Sequence, residues 1–237
     1  MKHTTLVCIL VLTTLVACQL PQIKSNSKII EHAAPEIAVD NEYFAGLGCF
    51  DSPECLPAEF QQLDPPIGYI MQSPAILGGL DPSLPLARAS TVLHYGEGEI
   101  DAVYVNQCLA DQYIRYLVLF EGQIQLVDSV DGLASLFAPI DSADEALSYA
   151  VATSGLSALY DINETPDLKL YTTPVEETFV KETGDGYLVH LFHTYLCGCG
   201  PHIVRSMDVT VSKDGTITIS EPVEAFSDPQ YDGLCVD

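Results

Sequence analysis

An α+β fold, mainly antiparallel sheet with one principal helix at about 142–159 packed on a C-terminal meander, is predicted by three observations. Short runs alternate apolar and polar residues with period two between residues 91 and 127, and again between 169 and 221. Between these two series, Ser142, Ala143, Asp144 and Glu145 form a capping box. Behind it, Ala146, Leu147, Ala150, Val151, Ser154 and Ala158 recur at spacings of three and four. Two turn triplets, Gly184, Asp185, Gly186 and Lys213, Asp214, Gly215, fall where antiparallel neighbours need them.

The elements follow in order. Residues 19–45 contain Lys24, Ser25, Asn26, Ser27, Lys28, Ala33, Ala34 and Pro35 with no sustained period, and read as a flexible tether spanning roughly 28 Å. Residues 46–89 read as an irregular wrap, because Pro53, Pro57, Pro65, Pro66, Pro74, Pro82 and Pro85 forbid long helices and central strands there. Residues 90–140 form a first sheet region. Runs 91–95 and 100–106 are strand-like, and Gly96, Glu97, Gly98 and Glu99 between them suggest a hairpin. Run 114–120 is apolar on both faces and so belongs inside a sheet, and 123–127 returns beside it after Glu121 and Gly122.

In residues 141–237 the helix places small side chains on one face, with Gly155 a possible interruption, and strands follow at 169–173, 176–182, 187–196, 203–211 and 216–221. A helix followed by an antiparallel meander loosely resembles, in element order, the cystatin-like and PepSY-type modules. That likeness implies a fold and no residue role.

The chain opens with Lys2 and His3, continues with an apolar stretch from Thr4 to Val16, and then presents Leu15, Val16, Ala17 and Cys18. The apolar stretch is too short to span a bilayer and has the form of a secretory leader. The four residues resemble the lipobox of bacterial lipoproteins. The resemblance implies removal of residues 1–17, lipidation of Cys18 with thioether-linked diacylglycerol and an acylated amine, export, and anchorage of the chain to a bacterial membrane. Gln19, which is not Asp, implies the outer membrane if the cell is Gram-negative.

Composition limits the partners. Nine basic residues stand against 33 acidic ones, a net charge of −24. Loss of residues 1–17 removes Lys2 and no acid, leaving −25. Such a chain repels nucleic-acid phosphates and anionic headgroups, so nucleic acid is not expected as a partner and membrane residence falls to the lipid at Cys18. With 48% apolar and only 18% charged residues the chain can still build a sizeable core.

Apart from Cys8 and Cys18, six cysteines remain: Cys49, Cys55, Cys108, Cys197, Cys199 and Cys235. In an exported chain this even number suggests disulfides. Cys49 and Cys55 are close enough for a local bridge. Cys197 and Cys199, separated by one residue, favour partners elsewhere, Cys108 and Cys235, in an assignment the sequence leaves open.

The sharpest chemical cluster surrounds that pair: His190, His193, Cys197, Cys199 and His202. Thiolates and imidazoles could hold copper or zinc, with Cys197, Cys199, His193 and His202 as the ligands. Against this, the spacing matches no zinc knuckle, and in a strand His190 and His193 face opposite sides. No cofactor is expected. The acid pairs Asp144 with Glu145 and Glu176 with Glu177 read as solvated, and His94 as a strand-end residue. No nucleophile elbow, zincin helix, phosphate loop or calcium loop is present. The sequence therefore points to a lipid-anchored, non-enzymatic binding or interaction module. The alternatives are a metal or thiol redox protein using Cys197 and Cys199, and a hydrolase whose site is assembled from separated residues.

Overall fold

The computed structural model describes residues 28–94 and 96–236. The leader, Cys18, residues 19–27, Tyr95 and Asp237 lie outside the described residues. Ile29–Ile30 (β1) pairs in parallel with a short strand near residue 175, and Glu42–Gly46 (α1) buries Phe44 completely. The Asn41 amide brackets Ser73, accepting from its N–H at 3.0 Å and donating to its carbonyl at 3.1 Å. Residues 28–45 are thus fastened to the folded body, which corrects the tether over that part. Their anchors, Ile29, Val39 and Phe44, are too widely spaced to leave a periodic signal.

The proline-rich stretch is irregular as expected, with 3-10 turns at Pro53–Cys55 and Ala75–Gly79, a short helix Ala58–Gln61 (α2) and one strand, Tyr69–Gln72 (β2). Its expected end is corrected. Leu86–His94 (β3) starts directly after Pro85 and is an interior strand. Tyr104–Gln107 (β4), Ala110–Phe120 (β5) and Gln123–Val127 (β6) complete the first sheet, in the order β2-β3-β5-β4 with β6 also on β5.

The expected hairpin across Gly96–Glu99 does not form. β3 and β4 both pair with β5, which lies between them. β5 is the central strand and is apolar on both faces: Leu117 is buried on one face, Tyr116 and Val118 on the other.

Val130–Phe137 (α3) begins at a Ser129 N-cap, and Ala143–Ser154 (α4) begins at Ser142, whose Oγ accepts from the Glu145 N–H at 3.2 Å. α4 ends at Gly155, short of residue 159, because Gly155 takes a left-handed conformation with φ +70°. The helix was expected to bury one face. It is buried on every face from Glu145 to Thr153, since the first sheet lies on one side of it and a second sheet on the other.

That second sheet contains Lys169–Leu170 (β7), Val180–Glu182 (β9), Gly186–His193 (β10), Ile203–Ser212 (β12), Ile217–Ile219 (β13) and Val223–Ser227 (β14), in the order β7-β14-β12-β10-β9 with β13 on β12. Val175–Glu176 (β8) is the partner of β1, and Gly198–Cys199 (β11) pairs with Cys235–Val236 (β15). The two expected turns join β9 to β10 and β12 to β13. β14 carries no alternation and was not foreseen. Among the described residues no helix is long and apolar enough to cross a membrane.

One core joins both halves: Leu86, Tyr116 and Val118 from the first sheet, Ala146 to Ala152 from α4, and Val189, Leu191, Val209 and Val211 from the second. The fold is thus α+β and mostly antiparallel, with its one main helix packed against the C-terminal sheet.

Candidate functional site

All six expected cysteines are bridged. Cys49 joins Cys55, Cys108 joins Cys197, and Cys199 joins Cys235. Cys199 and Cys235 are also register partners in β11 and β15, which ties down the C-terminal end. With both sulfurs in disulfides, neither Cys197 nor Cys199 is a thiolate able to ligate a metal, so the ligand set Cys197, Cys199, His193 and His202 does not assemble. Among the described residues no group of three or more His, Cys, Asp or Glu side chains is arranged to hold a metal.

The histidines separate as their parity predicts. His190 pairs with its register partner Asp208, Nδ1 to Oδ1 at 2.7 Å, and stacks on Phe179. His193 and His202 line a 230 Å³ cavity with Gln107 and Arg205, beside the Cys108–Cys197 bridge. The His202 ring Nε2 lies 3.1 Å from the Leu234 carbonyl. Burial, and then the nearby Arg205 guanidinium, lower the His193 pKa from its usual 6.5.

One acid of each pair departs from the solvated expectation, while Asp144 is exposed as expected and Glu176 is half-buried. Glu145 is 3% exposed, with Oε2 accepting from the Asp141 N–H at 2.8 Å and Oε1 buried without a partner. Glu177 is 1% exposed and accepts from the N–H groups of His32 and Ile162 at 2.9 and 2.8 Å. These carboxylates hold backbone in place: Glu145 secures the entry to α4, and Glu177 ties His32 to the turn at Ile162. His94 ends β3 as expected and is exposed.

A cavity of about 500 Å³ opens elsewhere, between β3, β5 and the end of α4, and lies within the size range of small-molecule sites. Three pieces of chain wall it. Residues 34–37 form one side. They continue into Ala38, whose backbone presses so closely on Gly78 that a Cβ there would lie 2.2 Å from the Ala38 carbonyl carbon. The turn Ala75–Gly79 forms the second side. It is locked to α4 by Ser148, whose Oγ donates to the Ile76 carbonyl at 2.6 Å and accepts from the Gly79 N–H at 3.0 Å. The segment after α4, residues 155–160, forms the third. The floor is Arg88 of β3, Tyr104 of β4 and Tyr116 of β5.

Most of the remaining lining is apolar, including Ile37, Ile76, Val151, Leu156 and Leu159. Tyr116 donates its hydroxyl to the Ala152 carbonyl at 3.0 Å, and burial holds its pKa well above 10. Burial, followed by Asp144 and Glu177, pushes Tyr160 up to about 12. Both phenols are neutral at physiological pH. Ser157 shares its hydroxyl with Thr194 at 2.9 Å. No Asp, Glu, His or Lys is among the described lining residues, so these walls offer no side-chain general base of the usual kind.

Sequence reasoning missed this cavity. The available signal was Arg88, a charge set among Leu86, Ala87, Ala89 and Ser90 in what proves to be an interior strand. It went unread because Pro82 and Pro85 had drawn the irregular segment over it.

Comparison of the chain with family profiles, with curated proteins and with solved structures finds no match. The functional reading therefore rests on the residues themselves.

Proposed function

We propose that this chain is an exported protein anchored through lipid on Cys18, and that its folded part is a non-enzymatic binding module taking a small, largely apolar ligand between β3, β5 and the end of α4. The anchor reading rests on the resemblance of Leu15, Val16, Ala17 and Cys18 to a lipobox, and the pairing of Cys49, Cys55, Cys108, Cys197, Cys199 and Cys235 in three disulfides agrees with an oxidising compartment. The binding reading is carried by one observation: a 500 Å³ cavity, walled by chain held in fixed contact, whose lining offers apolar surface and no Asp, Glu, His or Lys side chain. The bridging of Cys197 and Cys199 speaks against thiol chemistry at those positions. The lining speaks against a hydrolase site in this cavity.

Two experiments test the reading. Cys18→Ser should move the protein from the membrane fraction to the soluble fraction, and retention in the membrane would contradict the anchor. For the cavity, dodecanol titrated into the released Cys18→Ser chain should shift the methyl resonances of Ala75, Val151 and Ala158. Ala158→Phe, which fills the cavity, should abolish those shifts. Binding that survives Ala158→Phe, or no binding, would contradict the cavity reading.

A further inference from the structure

Two arginines extend from the first sheet into cavities on its opposite faces, and their surroundings differ. Arg115 of β5 lies with Asp64, Glu99, Asp101 and Asp128 around a 520 Å³ opening, and its Nη2 donates to the Thr91 hydroxyl at 2.6 Å. Its Nε is buried without a hydrogen-bond partner, but four carboxylates line the opening around it. Arg88, one strand away on the other face, is the only charged residue among the described residues that line the 500 Å³ cavity. No salt bridge of the described residues includes it, and its Nε is buried with no hydrogen-bond partner. Two residues along the same face of β3, the Ser90 hydroxyl is fully buried and also unpartnered.

In a chain with 33 acidic residues and only three arginines, an arginine facing no acid is a distinct electrostatic feature. A guanidinium held against apolar walls is short of counter-charge, and planar oxyanions satisfy its fork of donors best. The walls leave room for a body of modest size: 500 Å³ equals the liquid volume of roughly 17 water molecules at about 30 Å³ each.

We propose that Arg88 makes this cavity a site for amphiphilic monocarboxylates, the carboxylate meeting the guanidinium and the apolar body lying against Ile76, Val151, Leu156 and Leu159. The proposal rests on the binding-module reading and adds the chemical class of ligand. A dicarboxylate does not fit it, because no second cation is among the described lining residues. A cationic amphiphile does not fit it either, because its head would be placed beside Arg88.

The test is calorimetry on the full chain carrying Cys18→Ser, without detergent, using three probes with the same tail: dodecanoate, dodecanol and dodecyltrimethylammonium. Dodecanoate should bind about tenfold or more tightly than dodecanol, as one charge-assisted pair provides, and the ammonium should bind least. Arg88→Gln should erase the preference for dodecanoate over dodecanol, and Arg88→Lys should keep part of it. In case Arg88→Gln does not fold, the unmodified side chain is read by NMR. The Nε–H resonance of Arg88, one of three arginines, should move with dodecanoate and stay still with dodecanol. Dodecanol binding equal to dodecanoate, or a preference that survives Arg88→Gln, would overturn the proposal and leave the binding-module reading standing. Failure of both to bind would overturn the two together.

Discussion

Gly155 and Tyr104 meet in the lining of the cavity: a Cβ added to Gly155 would lie 2.5 Å from two carbons of the Tyr104 ring. The contact joins the end of α4 to the edge strand β4, and it exists because Gly155 holds the left-handed conformation that stops the helix. Gly155→Ala therefore combines backbone strain with a collision, and should cost roughly 2–4 kcal/mol in urea unfolding. Adding Tyr104→Ala should relieve the collision and leave the strain. A single mutant as stable as the parent chain would show that the ring is not held there.

The two long-range bridges should matter more than the local one. Cys108 and Cys197 are 89 residues apart, so chain-entropy arguments put their contribution at roughly 4–5 kcal/mol. Cys49 and Cys55, 6 apart, should give about 2 kcal/mol. Unfolding of the Cys108→Ala/Cys197→Ala pair against the Cys49→Ala/Cys55→Ala pair measures the difference, and equal losses would mean that strain or packing outweighs loop length.

Glu145 should give the stability a pH slope. Burial raises its pKa above the usual 4.5, and the N–H groups of Asp141 and Ser142 lower it only in part. A carboxyl with a raised folded-state pKa favours the fold below its unfolded pKa, and this contribution is lost as pH rises through the raised value. Glu145→Gln removes the titration and keeps a carbonyl for the Asp141 N–H. Relative to the parent chain it should therefore become progressively more favourable from pH 4 to pH 7, and a difference that does not change with pH would refute the assignment.

His193 gives a slope in a different window. Its pKa lies below 6.5, from burial first and Arg205 second, while His202, Gln107 and Arg205 share its cavity. The neutral ring is the form the fold prefers, so its contribution is complete above pH 6.5 and lost as pH falls through the lowered value. An NMR titration should place the His193 midpoint below 6.5. His193→Gln should flatten stability across that window, and a midpoint at or above 6.5 would contradict this.

What was legible in the sequence was local. The capping box at Ser142, the turns at Gly184 and Lys213, and the two-faced run ending at Phe120 each carry their own chemistry within a few residues, and each forms. Pairing was not legible. Nothing in runs 91–95 and 100–106 says that a third strand will come between them, because alternation identifies a strand's faces and not its neighbours.

The cavity was illegible for the same reason. Arg88, Tyr104, Tyr116 and Tyr160 come from three strands and a loop, and only the packing around α4 brings them together. The cysteines lie between these cases: their number and the local Cys49–Cys55 pair could be read, whereas Cys197 and Cys199 could each have taken either distant partner.

The most direct test of a lipid-anchored, disulfide-closed module is the intact mass of the protein extracted from membranes, with alkylation before and after reduction. The expected result is a chain beginning at a lipidated Cys18, no alkylated thiol before reduction, and six after it. An unlipidated N-terminus, or free thiols at Cys197 and Cys199, would contradict it.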